Sequence, residues 1–478
     1  MMSKKPSKEI RLFIDGKWID GDESFILMDK FDGSEVAIVH TASKDQVSKA
    51  TKSALQEQVS STFKPYDRYL VLSKLAEIMD AKTEEIARTI VADSGLTITD
   101  ARNETKRAIQ TMIICAEEAK RITGEVIPIS GAPGYTGRIG FTVRHPLGVI
   151  CAITPFNAPL NTVCHKVGPA IAAGNAVVVK PAALTPMTSE LLVKLLLEAG
   201  LPPKLISLVN GGGTTVGQWL LEDPIPSFYA FTGSTAVGEH ITRTVGIRKT
   251  QLELGSLSST IICEDGDIAK AAELCVNASF RKAGQVCTSI QRLYVHSDVE
   301  AEFVREVSKL LSSKQVGDPS QDQTFVGPLI SPQETERVES WVNDAVDKGA
   351  TLSHGGKRIG KVFGPTVLSQ VNQSMLVMQK EIFGPVVTIR PFQDLNEAIS
   401  EANDTPYGLA AGIFTANIKK ALLAAETLRF GSVHINETSS SRLDLYPYGG
   451  VKMSGHGKEG PKYAIAEMTE ERLITIAP

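Results

Sequence analysis

The chain has 478 residues, of which 42% are hydrophobic and 22% charged, and its formal net charge is −4. This length allows two or three domains with an ample core, and the composition excludes collagen-like and disordered chains. The slightly acidic balance excludes bulk nucleic-acid binding. The sequence has no apolar run of about 18 residues to span a membrane, and no apolar stretch follows the basic start as in a secretory signal.

The cysteines indicate a reducing compartment. The six are scattered and form no C-x-x-C pair, so a disulfide framework and a structural zinc site are both disfavoured. We therefore predict a cytoplasmic protein without a metal. The six are Cys115, Cys151, Cys164, Cys263, Cys275 and Cys287.

The first part of the chain has a helical pattern. Apolar residues recur at helical spacing over 44–60, 66–93 and about 98–120. Residues 124–150 then alternate apolar and polar positions around a Gly/Pro-rich turn, which predicts a β-hairpin. The C-terminal stretch 471–478 is an isolated strand pattern, and we expect it to pair with the hairpin of a second subunit.

Strands and helices alternate from residue 148 onward. This alternation predicts a parallel, doubly wound sheet, with a second α/β unit restarting near Gly255 and running to about 430. The second unit includes helices predicted at 267–280 and 298–312. The strand patterns of the first unit are GVICAITP, AVVVKPA, LISLVNG, SFYAFTGS and KTQLELG, and those of the second are STIICED and RLYVH.

Three glycine-rich turns could bind an anion. A literal G-x-G-x-x-G occurs at Gly455, Gly457 and Gly460, but only 18 residues follow it, too few for the βαβ unit that this motif requires. We therefore reject it as a cofactor loop and predict a glycine-rich turn with a structural role. The better candidates are NGGGTTVG at 210–217 and FTGSTAVG at 231–238, each between a strand and a helix. Such turns direct backbone N–H groups at pyrophosphate, although each could equally be a plain connection.

One thiol stands apart from the others. Cys287 lies between a glycine-containing turn and an apolar strand pattern, in KAGQVCTSIQRLYVH. A free cysteine is usually a small core residue, but a turn can also present a nucleophile to an electrophilic carbon.

Four motifs, in this order, decide between these readings: TPFNAPL with Asn157, QLELG with Glu253, GQVCTS with Cys287, and EIFGPV with Glu381. Together they resemble the aldehyde dehydrogenase superfamily, the non-phosphorylating NAD(P)-dependent enzymes, and the likeness covers nearly the whole chain. It extends through HKVGPAIAAGN, VVVKPA, FTGST, PYGLAAGIFT and YPYGGVKMSGHGKEG.

The resemblance implies a fold and a domain plan. We expect a Rossmann-like dinucleotide-binding domain from residues 1–121 and 146–254, and a second α/β catalytic domain from 255–432. Residues 122–145 and 460–478 would be oligomerisation segments of a homodimer or homotetramer.

The resemblance also implies catalytic roles. Cys287 would attack the aldehyde, giving a thiohemiacetal and then a thioester. Asn157 would hold the oxyanion, and Glu253 would activate the water that hydrolyses the thioester. Lys166 and Glu459 match a pair behind this base that could relay protons.

For the cofactor, Lys180 resembles the lysine that binds the adenosine ribose, and Glu381, beside Phe383, the glutamate that holds the nicotinamide ribose. Many NAD-preferring members have a glutamate where this chain has Ala183. A carboxylate there would repel a 2′-phosphate, so we predict that NADP is accepted besides NAD. The remaining expected cofactor residues are Thr154, Pro155, Phe156, Ala182, Gly213, Gly217, Phe231, Gly233, Ser234 and Leu254.

The chain departs from the family again after the base, where Ser256 and Leu257 replace a glycine and a lysine. The substrate tunnel would involve Arg107, Thr288 and the polar segment 437–447. The other expected tunnel residues are Thr111, Phe156 and Val286.

A polar tunnel suits a small polar aliphatic aldehyde such as lactaldehyde, glyceraldehyde or a semialdehyde. Arg442 or Arg107 would bind an anionic group, unless Arg442 pairs with an acid such as Asp444.

Three other functions remain to be distinguished. A CoA-acylating enzyme typically lacks the general-base glutamate, whereas Glu253 is present. A cysteine hydrolase would leave the cofactor loops unexplained. A non-catalytic relative would have no physical need for Asn157, Glu253, Cys287 and Glu381 together.

Overall fold

A computed structural model describes residues 8–477, and its larger sheet is built around five parallel strands. The spatial order reverses where Phe228–Thr232 and Val149–Ile153 lie side by side, so a crevice forms at the carboxyl ends there. Helices cover both faces, which is why the strands are almost continuously apolar and buried. From one edge, the strands are Lys249–Glu253, Phe228–Thr232, Val149–Ile153, Ala176–Lys180 and Ile206–Leu208.

Antiparallel strands complete both edges of this sheet. Leu12–Ile14 and Lys17–Ile19 form a hairpin beside Ile206–Leu208. Gly455–His456, close to the end of the chain, pairs with Leu252 and Glu253 at the opposite edge. A separate three-stranded sheet consists of Lys8–Ile10, Glu23–Met28 and Glu35–Thr41.

The predicted helices are confirmed with one correction. The pattern over 66–93 forms two helices that meet at Lys82, because the Thr83 hydroxyl donates to the Asp80 carbonyl 2.8 Å away and closes the first helix. The helices packed around this sheet are Lys44–Ser60, Pro65–Ala81, Thr83–Ser94, Ile98–Ala119, Asn161–Ala173, Met187–Glu198, Gln218–Glu222 and Thr235–Val245.

The second α/β unit contains a seven-stranded sheet. Its centre is parallel, and the two helices that were predicted here start within one residue of the predicted positions. In spatial order the strands are Thr351–His354, Thr366–Ser369, Val386–Phe392, Arg292–His296, Ser259–Ile262, Ala410–Phe414 and Ser432–Ile435. The helices are Ile268–Phe280, Ser297–Ser312, Pro332–Asp347, Leu376–Gln379, Leu395–Asn403 and Ile418–Thr427. The late helix Pro461–Glu467 packs instead on Ile98–Ala119 and Asn161–Ala173 of the first unit. Short strand pairs join Gln315–Val316 to Thr324–Val326 and Arg358–Ile359 to Val362–Phe363.

The terminal strand does not pair as the sequence suggested. Thr469–Ile476 lies antiparallel to Ile139–Pro146 of the same chain, with eight residue pairs in register. Val126–Ile127 pairs on the other side of Ile139–Pro146 and completes the predicted hairpin. The expectation that the C-terminal strand pairs with the hairpin of a second subunit is therefore wrong, because this strand pairs with the hairpin of its own chain.

The fold class predicted from the sequence is confirmed: a Rossmann-like α/β unit, a second α/β unit and a small β extension. Among the described residues, none of the helices is both long enough and apolar enough to cross a membrane.

Candidate active site

One cavity of about 1490 Å³ lies between the two α/β units. Four strands of the larger sheet end at it, contributing Ile153, Lys180, Thr232 and Glu253. All the site residues predicted above line this cavity except Lys166 and Thr111, which are buried next to it. Residues more than 300 positions apart, from Arg107 to Glu459, thus meet in one space.

One end of the cavity fits a dinucleotide. Ser234 caps the helix Thr235–Val245, so backbone N–H groups at the start of this helix are placed near the cavity wall. Gly233 lies where a Cβ would come within 2.4 Å of the Phe231 ring, so only glycine lets the turn pass that ring closely. The second predicted turn, Gly213–Gly217, is a single π-helical turn, and its Gly213 faces open space.

Lys180 and Glu381 are two of the charged groups that line the cavity. Burial lowers the pKa of Lys180 to about 8, and its ammonium donates to the Pro181 carbonyl at 3.1 Å. Burial raises the pKa of Glu381 to about 7, and the Ser256 amide donates to it at 3.1 Å. Phe383 meets Phe156 edge-on, with ring centroids 5.9 Å apart. An ammonium and a carboxylate that line one cleft can both bind ribose hydroxyl groups.

The departure from the family at Ser256 and Leu257 has a structural explanation. Leu257 is buried, as a lysine could not be without a partner. The Ser256 and Ser258 hydroxyls lie 2.9 Å apart, and Ser258 donates to the Cys287 carbonyl at 3.3 Å. This loop therefore links Glu381 to the cysteine turn.

The turn that presents Cys287 is left-handed. Lys282, Ala283 and Gly284 have φ values of 53°, 54° and 70°. A Cβ at Gly284 would lie 2.1 Å from the Gly384 carbonyl oxygen, so this position needs glycine. Lysine and alanine in this region are strained by roughly 1–3 kcal/mol each, so surrounding contacts must hold them.

Glu104 and Lys282 supply those contacts. Glu104 is 3% exposed, forms an ion pair with Lys282, and accepts from the Leu160 amide at 2.9 Å. The Lys282 ammonium also donates to the Asn157 carbonyl at 3.0 Å. The Lys282 amide donates to Asp100 at 2.9 Å. The buried pair thus joins the cysteine turn, the Asn157 loop and helix Ile98–Ala119.

Asn157 is aimed at the same turn. Its side-chain amide donates to the Gln285 carbonyl at 2.7 Å, two residues before Cys287. An amide nitrogen carries two hydrogens, so one fixes the orientation and the second is left for a ligand oxygen.

The Cys287 thiol has a hydrogen-bonding partner that the sequence analysis missed. Its sulfur lies 3.0 Å from the Tyr448 hydroxyl. Burial raises the pKa of Cys287 to about 11, while the bond to Tyr448 and the charge of Arg442 act to lower it. The other five cysteines are fully buried free thiols, so Cys287 is the accessible one.

Glu253 is 2% exposed, and neither carboxylate oxygen has a hydrogen-bond partner among the described residues. Burial and the nearby Glu459 carboxylate raise its pKa well above the usual range. A buried, unpartnered carboxyl group facing a cavity can exchange a proton with a water held there.

Behind Glu253 lies a buried charge cluster. Lys166 is fully buried, and its ammonium lies 3.0 Å from Glu459. Arg442 contacts the other oxygen of Glu459 at 2.6 Å. Burial would raise the pKa of Glu459, but these two cations outweigh it and hold the pKa well below its usual range. The alternative that Arg442 forms an ion pair with an acid therefore agrees with the structure, although the acid is Glu459 rather than Asp444.

Arg107 is also engaged by an acid. It contacts Asp444 through two nitrogens, at 2.7 and 3.2 Å, and Asp444 also lies 2.8 Å from His165. Burial would raise the pKa of Asp444, but His165 and Arg107 hold it well below its usual range. This cluster anchors the late segment 437–447 onto two helices.

Arg281 is the cation that the sequence analysis did not select. It lines the cavity six positions before Cys287 and donates to the Ser440 hydroxyl at 2.7 Å. Ser440 lies 3.3 Å from the hydroxyl of Thr288. No carboxylate of the described residues is within ion-pair distance of Arg281, and burial lowers its pKa. Sequence could place it near the thiol but could not show which arginine stays free of a carboxylate.

The rejected glycine motif supports the sheet edge. Gly455 pairs with Glu253, and a Cβ there would lie 1.9 Å from the Leu252 carbonyl oxygen. The turn is thus structural, as predicted. Among the described residues, two groups of ligand-type side chains cluster away from the cavity lining: Glu9, Asp20 and His40, and Cys263, Glu264 and Asp265.

Comparison with known proteins identifies the family of the chain. The aldehyde dehydrogenase family model matches residues 18–474. The chain is 46% identical over 476 residues to the 3-sulfolactaldehyde dehydrogenase of Priestia aryabhattai, with 100% of both chains covered.

Two solved structures are similar throughout. Aldehyde dehydrogenase 21 from Physcomitrella patens, in complex with the reaction product succinate, has a TM-score of 0.96 and 34% identity, covering 99% of each chain. NADP-dependent glyceraldehyde-3-phosphate dehydrogenase from Bacillus halodurans C-125, complexed with NADP, has a TM-score of 0.96 and 32% identity, covering 99% of this chain and 100% of that one.

The chain belongs to the aldehyde dehydrogenase family. It is therefore an NAD(P)-dependent oxidoreductase acting on aldehydes, and the family resemblance drawn from its motifs is confirmed.

Proposed function

We propose that this enzyme oxidises a small aliphatic aldehyde with an anionic group to the carboxylic acid, using NADP or NAD. The observation that carries the proposal is the shared cavity, where the accessible Cys287 thiol meets the buried Glu253 carboxyl group and the Lys180–Glu381 cleft. The bound nicotinamide would supply the hydride acceptor, with Lys180 and Glu381 holding its two riboses.

Cys287 acts as the nucleophile in this proposal. Its thiolate adds to the aldehyde carbon, and the carbonyl π electrons move to oxygen, giving a thiohemiacetal oxyanion. The free N–H of the Asn157 amide stabilises this oxygen, because the Gln285 carbonyl already fixes the other N–H. Loss of hydride from the same carbon leaves a thioester.

Glu253 acts as the base that resolves the thioester. Its raised pKa makes the ionised carboxylate a stronger base towards water. The water oxygen bonds to the acyl carbon, the C–S bond breaks, and the acid leaves with the thiol regenerated. Lys166 and Glu459 lie beside this base and serve as its proton relay.

The substrate's anionic group is assigned to Arg281. Arg107 and Arg442, the two candidates from sequence, each have a carboxylate partner already. Within the described part of the chain, the Arg281 guanidinium has the Ser440 hydroxyl as its hydrogen-bond partner, and Thr288 completes a polar wall. The Priestia relative is named for sulfolactaldehyde, and the Physcomitrella neighbour holds succinate, both of which carry an anionic group.

Cofactor choice, location and assembly complete the proposal. Ala183 lines the cavity where a carboxylate would repel a 2′-phosphate, which supports NADP as a cofactor. Six free thiols suit a cytoplasmic protein. The small β extension, with Leu473 58% exposed and Ile139 58% exposed, supports a homodimer or homotetramer.

The test is a panel of aldehydes with and without an anionic group, crossed with both cofactors. We expect the highest kcat/KM for anionic aldehydes such as sulfolactaldehyde and succinic semialdehyde. Arg281→Met should lower kcat/KM for these by about 10- to 100-fold, the loss of a charge-assisted hydrogen bond, and leave uncharged aldehydes nearly unchanged. The matched control is Arg243→Met, whose side chain is 78% exposed on a surface helix.

Two results would contradict the proposal. Turnover by Cys287→Ala at the parental rate would show that Cys287 is not the nucleophile. Equal losses for charged and uncharged aldehydes in Arg281→Met would show that Arg281 does not bind the anionic group. The CoA-acylating alternative predicts an acyl-CoA product and no acid when CoA is omitted. Glu253 disfavours the CoA-acylating alternative, because transfer of the acyl group to the thiol of CoA does not require a buried base that activates water.

A further inference from the structure

The thiol of Cys287 and the phenol of Tyr448 form a specific contact. The two atoms are 3.0 Å apart, and Tyr448 is 6% exposed, so water competes little for this bond. Burial and the neighbouring thiol raise the pKa of Tyr448 well above its usual range, so the phenol keeps its proton. Since a thiolate can only accept, the O–H of Tyr448 must donate to the sulfur whenever Cys287 is ionised.

Arg442 lies against the other side of this phenol. Its guanidinium is 3.7 Å from the centroid of the Tyr448 ring, which is a close cation–π contact. The guanidinium is fixed there by its 2.6 Å contact with Glu459, which is itself held by Lys166. A cation over the ring withdraws electron density from it, so the phenol becomes a stronger donor.

A hydrogen bond to the Cys287 sulfur is important because the surroundings of this sulfur disfavour a negative charge. Glu253 and Glu381 face Cys287 and raise its pKa in addition to burial, while Arg442 and the phenol act in the opposite direction. Arg281 also faces the sulfur, but its charge is shared with the Ser440 hydroxyl and is assigned above to the substrate.

We propose that Tyr448 is a catalytic residue that donates a hydrogen bond to the Cys287 thiolate, and that Arg442 is a positioning residue that strengthens this donor. The inference rests on the proposed role of Cys287 as nucleophile. When the sulfur bonds to the aldehyde carbon, its negative charge passes to the carbonyl oxygen. The hydrogen bond is therefore strongest before attack, and its effect is to increase the fraction of thiolate. Arg442 accordingly does not bind the substrate's anionic group.

The test measures the reactivity of Cys287 without aldehyde. Iodoacetamide alkylation is followed by mass spectrometry as a function of pH in the wild type, Tyr448→Phe and Tyr446→Phe. Loss of one hydrogen bond to a charged sulfur should raise its pKa by about one to two units. A thiolate of higher pKa is intrinsically more nucleophilic, so the net loss of alkylation rate below both pKa values should be about 3- to 10-fold. Tyr446, in the same segment but 40% exposed, should behave as wild type.

Arg442 is tested by a double-mutant cycle. Arg442→Gln alone should slow alkylation, and it should slow it less when Tyr448 is already phenylalanine, because the cation then has no phenol to strengthen. Equal losses in both backgrounds would show that Arg442 acts on the thiolate by itself, and would overturn its positioning role.

The outcomes separate this inference from the proposed function. If Tyr448→Phe alkylates with the wild-type pH profile while Cys287→Ala has lost turnover, the donor role is wrong and the nucleophile stands. If Cys287→Ala still turns over substrate, the proposed function fails first. Binding of NADP to Tyr448→Phe, measured by fluorescence quenching, establishes that the variant is folded.

Discussion

Replacing Lys282 with methionine is the sharpest test of how the site is held together. The side chain is 10% exposed, and its ammonium makes two charge-assisted bonds, to Glu104 and to the Asn157 carbonyl at 3.0 Å. Each such bond contributes roughly 1.5–3 kcal/mol, so the two together amount to about 3–6 kcal/mol. Removing one partner of a buried ion pair typically lowers the free energy of unfolding by about 3–5 kcal/mol, which is the same range.

The Lys282→Met substitution should lower the catalytic rate as well as the stability of the protein. Without the ammonium, the charge of Glu104 is left buried beside the Leu160 amide, and the left-handed turn at Lys282 and Ala283 loses its anchor. A displacement of the thiol relative to Asn157 by about 1 Å can lower turnover by about 100-fold. We therefore expect kcat to fall by about this factor in Lys282→Met, with a smaller change in cofactor affinity.

A double-mutant cycle makes the reasoning refutable. Urea unfolding and kcat are measured for Lys282→Met, Glu104→Gln and the double variant. The double variant should be more stable than the sum of the two single losses predicts, because it contains no unpaired buried charge. The surface variant Lys309→Met, at a 75% exposed position, is the control. Strictly additive losses, or a Lys282→Met enzyme with parental kcat, would refute this account of the turn.

The remaining predictions concern the cofactor end of the cavity. The pKa of Glu381 is raised by burial to about 7 from its usual range near 4, so this carboxyl destabilises the folded protein as pH rises through that range and the full cost is present above pH 7. Glu381→Gln should therefore stabilise the cofactor-free enzyme at pH 8 by about 3 kcal/mol but not at pH 4, and an equal effect at both values in urea unfolding would contradict this. Ala183→Glu should raise the KM for NADP by at least about tenfold and change that for NAD far less, because only NADP brings a 2′-phosphate near the new carboxylate; parallel changes in steady-state KM would exclude the idea.

The sequence predicted most of the architecture, because the local pattern of apolar residues indicates which strands and helix faces are buried. The runs AVVVK and VICAI are apolar at every position, and the structure buries every residue of both strands. The motifs also brought Asn157, Glu253, Cys287 and Glu381 to one cavity, since each lies at a strand end or a turn that faces it.

What sequence could not predict depends on distant partners. Which arginine stays free of a carboxylate is decided by where Asp444 and Glu459 lie, so Arg281 was missed and the sequence left the role of Arg442 open. A positive φ at Lys282 has no signature, because lysine rarely adopts it and only the tertiary contacts hold it. The strand partner of Thr469–Ile476 also lies far away in the sequence, so it was missed for the same reason.

The pairing of Gly455–His456 beside Glu253 has a consequence for biosynthesis. Translation produces Cys287 well over a hundred residues before Tyr448 and Glu459. A growing chain therefore carries its sulfur without the phenol that favours ionisation and without the carboxylate that completes the charge cluster. The catalytic site is therefore incomplete until the last segment has docked onto the edge of the first sheet.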